Sequence, residues 1–499
     1  MPTAHPASWN RVMIDRYNDL LQLRAKGIDP FKPTKFVKTH TNADIRRICE
    51  TALEREEALP TEISLAGRII SIRKMGKLIF ADVEDESGRI QFMIKKDQVG
   101  EDAFAVFSAH LDLGDYIGGH GAMLKTRSGE ISLEVKSFEV LSKALRPIPF
   151  KIEGKVEGIN DSEIQQRQRY MDLASNPGTR ARFRTRSQVV WLMRQYLAER
   201  DFMEVETPIL QDIHGGAAAR PFVTRSNQLH RDLYLRIATE LHLKRLIAGG
   251  LERVFEIGRI FRNEGVDRKH NPEFTTMEVY WAYADYQDMM ALTQGVVAHI
   301  VRKIHKKYDI PYQGTTLDFT PPWKRMTMEE SIEAIGGVSV IGRGVDDLRR
   351  IAAENEIEVE DDMGRGWLVM TLFESLVEHK LIQPTFITRY PVETTPLAKR
   401  SPEDPTVVDR FEAFVSGMEL ANAFSELNDP IDQRARFEEQ VEQAARGDEE
   451  AHPFDEDYVQ ALEIGMPPTG GLGIGIDRLA MLVTDSASIR DVILFPTLR

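Results

Sequence analysis

At 499 residues the chain is too long for one domain of ~100–200 residues, so two or more units are expected. Its 42% hydrophobic and 28% charged residues suit a globular protein, and with no apolar run near ~18–20 residues a membrane-spanning helix is not expected. The net charge of −14 is uneven: residues 1–150 hold 22 Lys+Arg against 21 Asp+Glu, the rest 42 against 57, so contact with nucleic acid requires a local basic patch.

Met1 to Asp19 has no apolar core, so no signal peptide is read there. Helical spacing predicts helices over 9–29 and 43–59. The second contains the only cysteine, Cys49, which excludes an internal disulfide or a multi-cysteine zinc site and suits a reducing cytoplasm. From Ile63 to Val140 the pattern turns to about five short strands around Met75-Gly76-Lys77, Glu86-Ser87-Gly88 and Arg127-Ser128-Gly129, with a helix over 101–111, a pattern suggesting a small OB-type barrel. Arg68, Arg73, Lys74 and Lys77 form its basic stretch. The Pro- and Gly-bearing segment 143–165 reads as a linker. Beyond it, helices over 185–200, 289–307, 368–380 and 433–446 do not alternate one-for-one with strands, which predicts an α+β unit on an antiparallel sheet.

Three segments carry chemistry. Along Phe274-Thr-Thr-Met-Glu-Val-Tyr-Trp281, alternation puts Phe274, Thr276, Glu278 and Tyr280 on one face and Met277, Val279 and Trp281 on the other. The second set is core; the first is either a site floor or a solvated face, with Arg262 and Glu264 brought near by the preceding hairpin. Glu419 and Glu426 are seven apart, so they can share a metal only if the strand bends or ends between them. Gly470-Gly-Leu-Gly-Ile-Gly-Ile-Asp-Arg478 is neither a dinucleotide fingerprint nor a P-loop, leaving a nucleotide site with Arg478 as its cation or a glycine-packed helix start.

Together these segments resemble the class II aminoacyl-tRNA synthetases. Asp201-Phe-Met-Glu-Val-Glu-Thr-Pro208 resembles motif 1, with Asp201 where the family has Gly. Phe261-Arg262-Asn-Glu264 with His270-Asn-Pro-Glu-Phe274 resembles motif 2, and Gly473-Ile-Gly-Ile-Asp-Arg478 motif 3. His214 to Phe222, Tyr234 to Arg245, Thr276 to Tyr280 and Asn422 to Glu426 are similar to the lysine-specific members. The resemblance implies an N-terminal helical extension (1–62), an OB anticodon-binding domain (63–145), a linker (146–170) and a catalytic domain (171–499). It implies ligation of L-lysine to tRNA(Lys) through an adenylate, in a cytoplasmic homodimer. Arg262 and Arg478 would be catalytic, and these two with Glu264, His270, Phe274 and Glu419 would bind ATP. Glu240, Glu278, Tyr280, Asn422 and Glu426 would bind lysine, and Glu419 and Glu426 would ligate Mg²⁺. Arg73, Phe80, Gln91 and Glu130 would read the anticodon, Phe80 by stacking unless it is a barrel-core residue. Buried carboxylates suit a lysine ammonium, whereas an aspartate-specific relative needs cations there. Two alternatives stay open: a protein-lysylating paralogue, which lacks the OB domain, and a non-catalytic OB-type nucleic-acid binder.

Overall fold

The computed structural model describes residues 6, 8–149, 161–445 and 453–498. The chain divides into two compact units, residues 1–177 and 178–499.

In the first unit, helices Arg11–Ala25 and Asn42–Glu54 start where Asn10 and Thr41 side chains accept from Met13 and Asp44 backbone N–H groups. Five strands follow: β1 (Ile63–Met75), β2 (Leu78–Glu84), β3 (Arg89–Lys95), β4 (Tyr116–Lys125) and β5 (Ile131–Ser142). They close into a barrel in the order β1-β2-β3-β5-β4. Ile79, Ala81 and Val83 of β2 and Ile90, Phe92 and Ile94 of β3 point inward. Two glycines permit the closure: a Cβ on Gly67 would sit 2.4 Å from the Glu84 carbonyl oxygen, and one on Gly121 would sit 1.9 Å from that of Glu134. Helix Glu101–His110 sets Phe107 edge-on to Phe138.

Lys143 is fully buried and bonds Asp112 at 2.5 Å and Asp115 at 2.9 Å, so it belongs to the packed barrel. Residues 150–160 of the expected linker lie outside the described residues, and its end falls in two short helices, Ser162–Arg167 and Arg169–Ser175. The expected helix 433–446 runs Pro430–Ala445, residue 446 lying outside the described residues, and the one over 368–380 stops at Leu376 before a 3₁₀ turn at Glu378–Lys380.

The second unit is built on β6 (Met203–Glu204), β7 (Arg253–Phe261), β8 (Glu273–Ala282), β9 (Lys324–Thr327), β10 (Thr385–Pro391), β11 (Val407–Val415), β12 (Met418–Ser425) and β13 (Thr469–Gly475). Their order is β9-β10-β11-β12-β13-β8-β7-β6, antiparallel except at the two outermost pairs. Helix Tyr286–His305 packs Val296, Val297 and Ile300 into one core with Met277, Val279, Leu472 and Ile474 of one sheet face. Helix Pro177–Ala198 adds Val189, Leu192 and Met193 to it. On the opposite face Ile387, Tyr390 and Phe414 pack under helix Arg365–Leu376, and Val254, Tyr280 and Ala282 under helices Glu240–Ala248 and Glu456–Glu463, which leaves a cleft on that side. Asp201, in the position where motif 1 has Gly, takes φ +62°, a left-handed conformation that glycine adopts freely and aspartate tolerates better than most residues.

Candidate active site

Register assembles the site floor. Glu278 on β8 opposes Glu256 on β7 and Gly473 on β13; Gly473 opposes Asn422 on β12, which opposes Glu412 on β11. Opposed residues of antiparallel strands share a face, so this row crosses five strands on the cleft side. Two residues along, Tyr280 opposes Gly471, and Gly471 opposes Phe424. The glycines keep the floor low: a Cβ on Gly471 would lie 1.8 Å from Glu426 Oε1 and 2.7 Å from Tyr280 Cε1. Gly473 has no atom nearer than 3.9 Å to such a carbon, because it faces open space between Glu278 and Asn422.

Above this floor is a cleft of about 500 Å³. It brings together Arg262, Glu264, His270, Phe274, Glu419 and Arg478 with Glu240, Glu278, Tyr280, Asn422 and Glu426. At one end the Arg262 guanidinium lies 5.3 Å from the Phe274 ring centroid, and its buried Nε has no partner. Arg478 donates to the Glu419 carbonyl oxygen at 2.6 Å and carboxylate at 3.2 Å, and stands 3.3 Å from His270 Nε2. Asp477 beside it accepts from Arg186 and from the Thr275 backbone, each at 2.7 Å, which ties the helix Ile476–Val483 to β8.

Carboxylates gather at the other end. Glu278 accepts from the Thr239 backbone N–H at 3.1 Å. Lost water and then the neighbouring Glu240 charge push its carboxyl up to about 7. Glu240 accepts from Lys244 Nζ at 2.5 Å, and Lys244 also pairs with Glu426. Burial holds Glu426 well above the usual carboxylate range.

The two expected metal ligands have different surroundings. Glu419 meets Arg478, whereas Glu426 follows the last residue of β12, is 1% exposed and pairs with Lys244. Glu412 stands on Glu419's side. It lines a second pocket together with Glu419, Arg478 and His270, and burial, with the Glu419 charge opposing its ionisation, pushes it up to about 7. A bulge between Ala413 and Phe414 sets the register of β11 against β12 there. Among the described residues no three His, Cys, Asp or Glu cluster as a metal site. Glu412, Lys244 and Arg410, which donates to Asn422 at 3.1 Å and Glu412 at 2.5 Å, are absent from the sequence-based set. Only Lys244 left a signal, its i,i+4 spacing from Glu240.

On the barrel, Phe80 opposes Arg73 and Met93 and is half-buried on the outer face, while its neighbours Ile79 and Ala81 are core. Phe80 is therefore not one of the inward-facing barrel residues. Gln91 opposes Asp82 and Ser132 on that outer face and accepts from the Ser132 hydroxyl at 3.0 Å. Glu130 accepts from Arg46 at 2.9 Å.

Residues 161–499 match the family model described as tRNA synthetases class II (D, K and N), and residues 63–141 match that of an OB-fold nucleic acid binding domain. Among curated relatives, the Lysine--tRNA ligase of Moorella thermoacetica is 52% identical over 98% of both chains. That of Bacillus subtilis is 50% identical over 97% of this chain and 96% of its own, and that of Enterococcus faecalis 48% over 99% of both. With a catalytic-unit match over more than half its length and relatives of this identity end to end, the chain belongs to the class II tRNA synthetases (D, K and N).

Proposed function

We infer that the chain ligates L-lysine to tRNA(Lys) with ATP, through a lysyl-adenylate, releasing AMP and pyrophosphate. The observation that carries this reading is the convergence of Glu240, Glu278 and Glu426 at one end of a cleft whose other end holds Arg262 and Arg478. A lysine side chain must lose water to be read, and only buried carboxylates offset that loss. Aspartate in the same place would bring a like charge against these carboxylates.

In the first step the lysine carboxylate attacks the α-phosphate of ATP, and catalysis is positioning and charge stabilisation. Arg262, with a free Nε and a planar guanidinium, suits the α-phosphate and the attacking carboxylate. Phe274 stacks on adenine, Glu264 and His270 hold the nucleotide, and Arg478 turns from Glu419 to the γ-phosphate. Asn422, with Arg410 on its amide oxygen, orients the amino acid. Carboxylate oxygens suit a hard divalent cation, and Glu419 and Glu426 line the cleft with Glu412 beside Glu419; these carboxylates would hold Mg²⁺, which would supply positive charge opposite the phosphate oxygens. In the second step the terminal hydroxyl of tRNA attacks the adenylate carbonyl. The anticodon is read on the barrel's outer face by Phe80, Arg73, Gln91 and Glu130.

A homodimer belongs to the same reading. Trp191, Met203, Leu210 and Val223 are each at least half exposed around motif 1 and the sheet edge at β6, an apolar surface suited to a second copy. Cytoplasmic residence rests on the lone buried Cys49, and no helix among the described residues is long and apolar enough to cross a membrane. Aminoacylation of tRNA(Lys) by the purified chain tests the function: charging with lysine is expected, and ATP binding with no charging would leave a non-catalytic binder.

A further inference from the structure

Lys244 lies one turn after Glu240 on helix Glu240–Ala248, with its side chain 0% exposed. Its Nζ donates to Glu240 at 2.5 Å, pairs with Glu426, which is also fully enclosed, and sits 5.2 Å from the Phe424 ring centroid. A buried ammonium persists only with such partners. Yet the cluster is not self-satisfied. Glu426 Oε1 is buried at the cleft wall with no hydrogen-bond donor, and Glu278 has its main donor in a backbone N–H. Glu240, Glu278 and Glu426 carry three negative charges when ionised, and Lys244 cancels one. Two remain, and lysine brings two ammonium groups, while its carboxylate belongs with Arg262.

We propose that Lys244 is a positioning residue for lysine recognition: its buried ammonium bridges Glu240 and Glu426 and fixes both carboxylates where they face the substrate. The proposal rests on the lysine-activating reading. Lys244 touches no reacting atom; it acts through the carboxylates. The groups facing this cluster are Glu240 on its own helix, Glu278 and Tyr280 on β8, Glu426 after β12, and Tyr458 on helix Glu456–Glu463. Without Lys244, Glu240 and Glu426 lose the donor that bridges them, and neither carboxylate is held in place.

The test is Lys244→Met in lysine-dependent exchange of pyrophosphate into ATP, with methionine filling the space without charge. The expected result is a lysine KM raised about tenfold or more, with kcat and the ATP KM within about threefold of wild type. A lysine KM within about threefold of wild type, or equal losses for lysine and ATP, would overturn the proposal. Should Lys244→Met not fold, Lys244→Gln, whose amide can still donate to one carboxylate, is assayed in the same way; it should show a selective rise in lysine KM, and a lysine KM near wild type there also overturns the proposal. Absence of lysine-dependent exchange in the wild-type chain would count against the functional reading, not against the role of Lys244.

Discussion

Gly473→Ala separates the site floor from the fold. The added methyl would meet nothing nearer than the Asn422 carbonyl oxygen and Glu278 Cγ, both at 3.9 Å, an ordinary contact distance, and φ at this strand position needs no glycine. Stability should therefore change by less than about 0.5 kcal/mol. The methyl projects into the space between Glu278 and Asn422, where the substrate is placed. A substrate carbon resting on the floor at ~3.5–4.0 Å from the glycine would overlap it and shift by roughly 1 Å. Misplacement on that scale costs about 10²-fold, or ~2.7 kcal/mol of transition-state stabilisation. Lysine-dependent pyrophosphate exchange, with thermal unfolding in parallel, reads both quantities. A kcat/KM within about threefold of wild type in a stable variant would mean that lysine does not lie on this row.

Glu278→Gln should abolish lysine activation while nucleotide binding, measured by calorimetry, persists; removing one partner of a desolvated ion pair costs ~3–5 kcal/mol. In the wild type, the raised Glu278 carboxyl, at about 7, is protonated in the empty pocket below that pH. Lysine must displace that proton, so its KM should climb toward tenfold per unit as pH falls below about 7 and flatten above it, and a flat profile from pH ~5.5 to 8 would contradict the assignment. Phe80→Ala should weaken tRNA charging by ~1–3 kcal/mol and leave adenylate formation unchanged, and equal losses in both assays would remove the stacking role. Sedimentation at micromolar concentration should give a dimer; an active monomer would refute the use of the motif 1 surface.

The face of β8 is legible in the sequence because side chains alternate along a regular strand: Met277 and Val279 are core, and Phe274, Thr276, Glu278 and Tyr280 line the cleft. The barrel is legible because its turns carry glycine at Gly76, Gly88 and Gly129, all with positive φ. The nearness of Glu412 to Glu419 is not. It depends on a bulge in the neighbouring strand, while β12 ends at Ser425 and Glu426 beyond it pairs with Lys244. Lys244 is equally opaque, since an i,i+4 Glu–Lys pair normally marks a solvated helix face and here is enclosed by Phe424 and Tyr458 from distant segments. Phe80's outward direction follows from barrel closure, which fixes what period-two alternation leaves open.

The most direct test of the account is exchange of pyrophosphate into ATP by the purified chain with each of the twenty amino acids in turn. Lysine alone should support rapid exchange, because only lysine brings the two ammonium groups and the carboxylate that Glu240, Glu278, Glu426 and Arg262 are placed to meet. Exchange driven by aspartate or asparagine, or by none of the twenty, would contradict it.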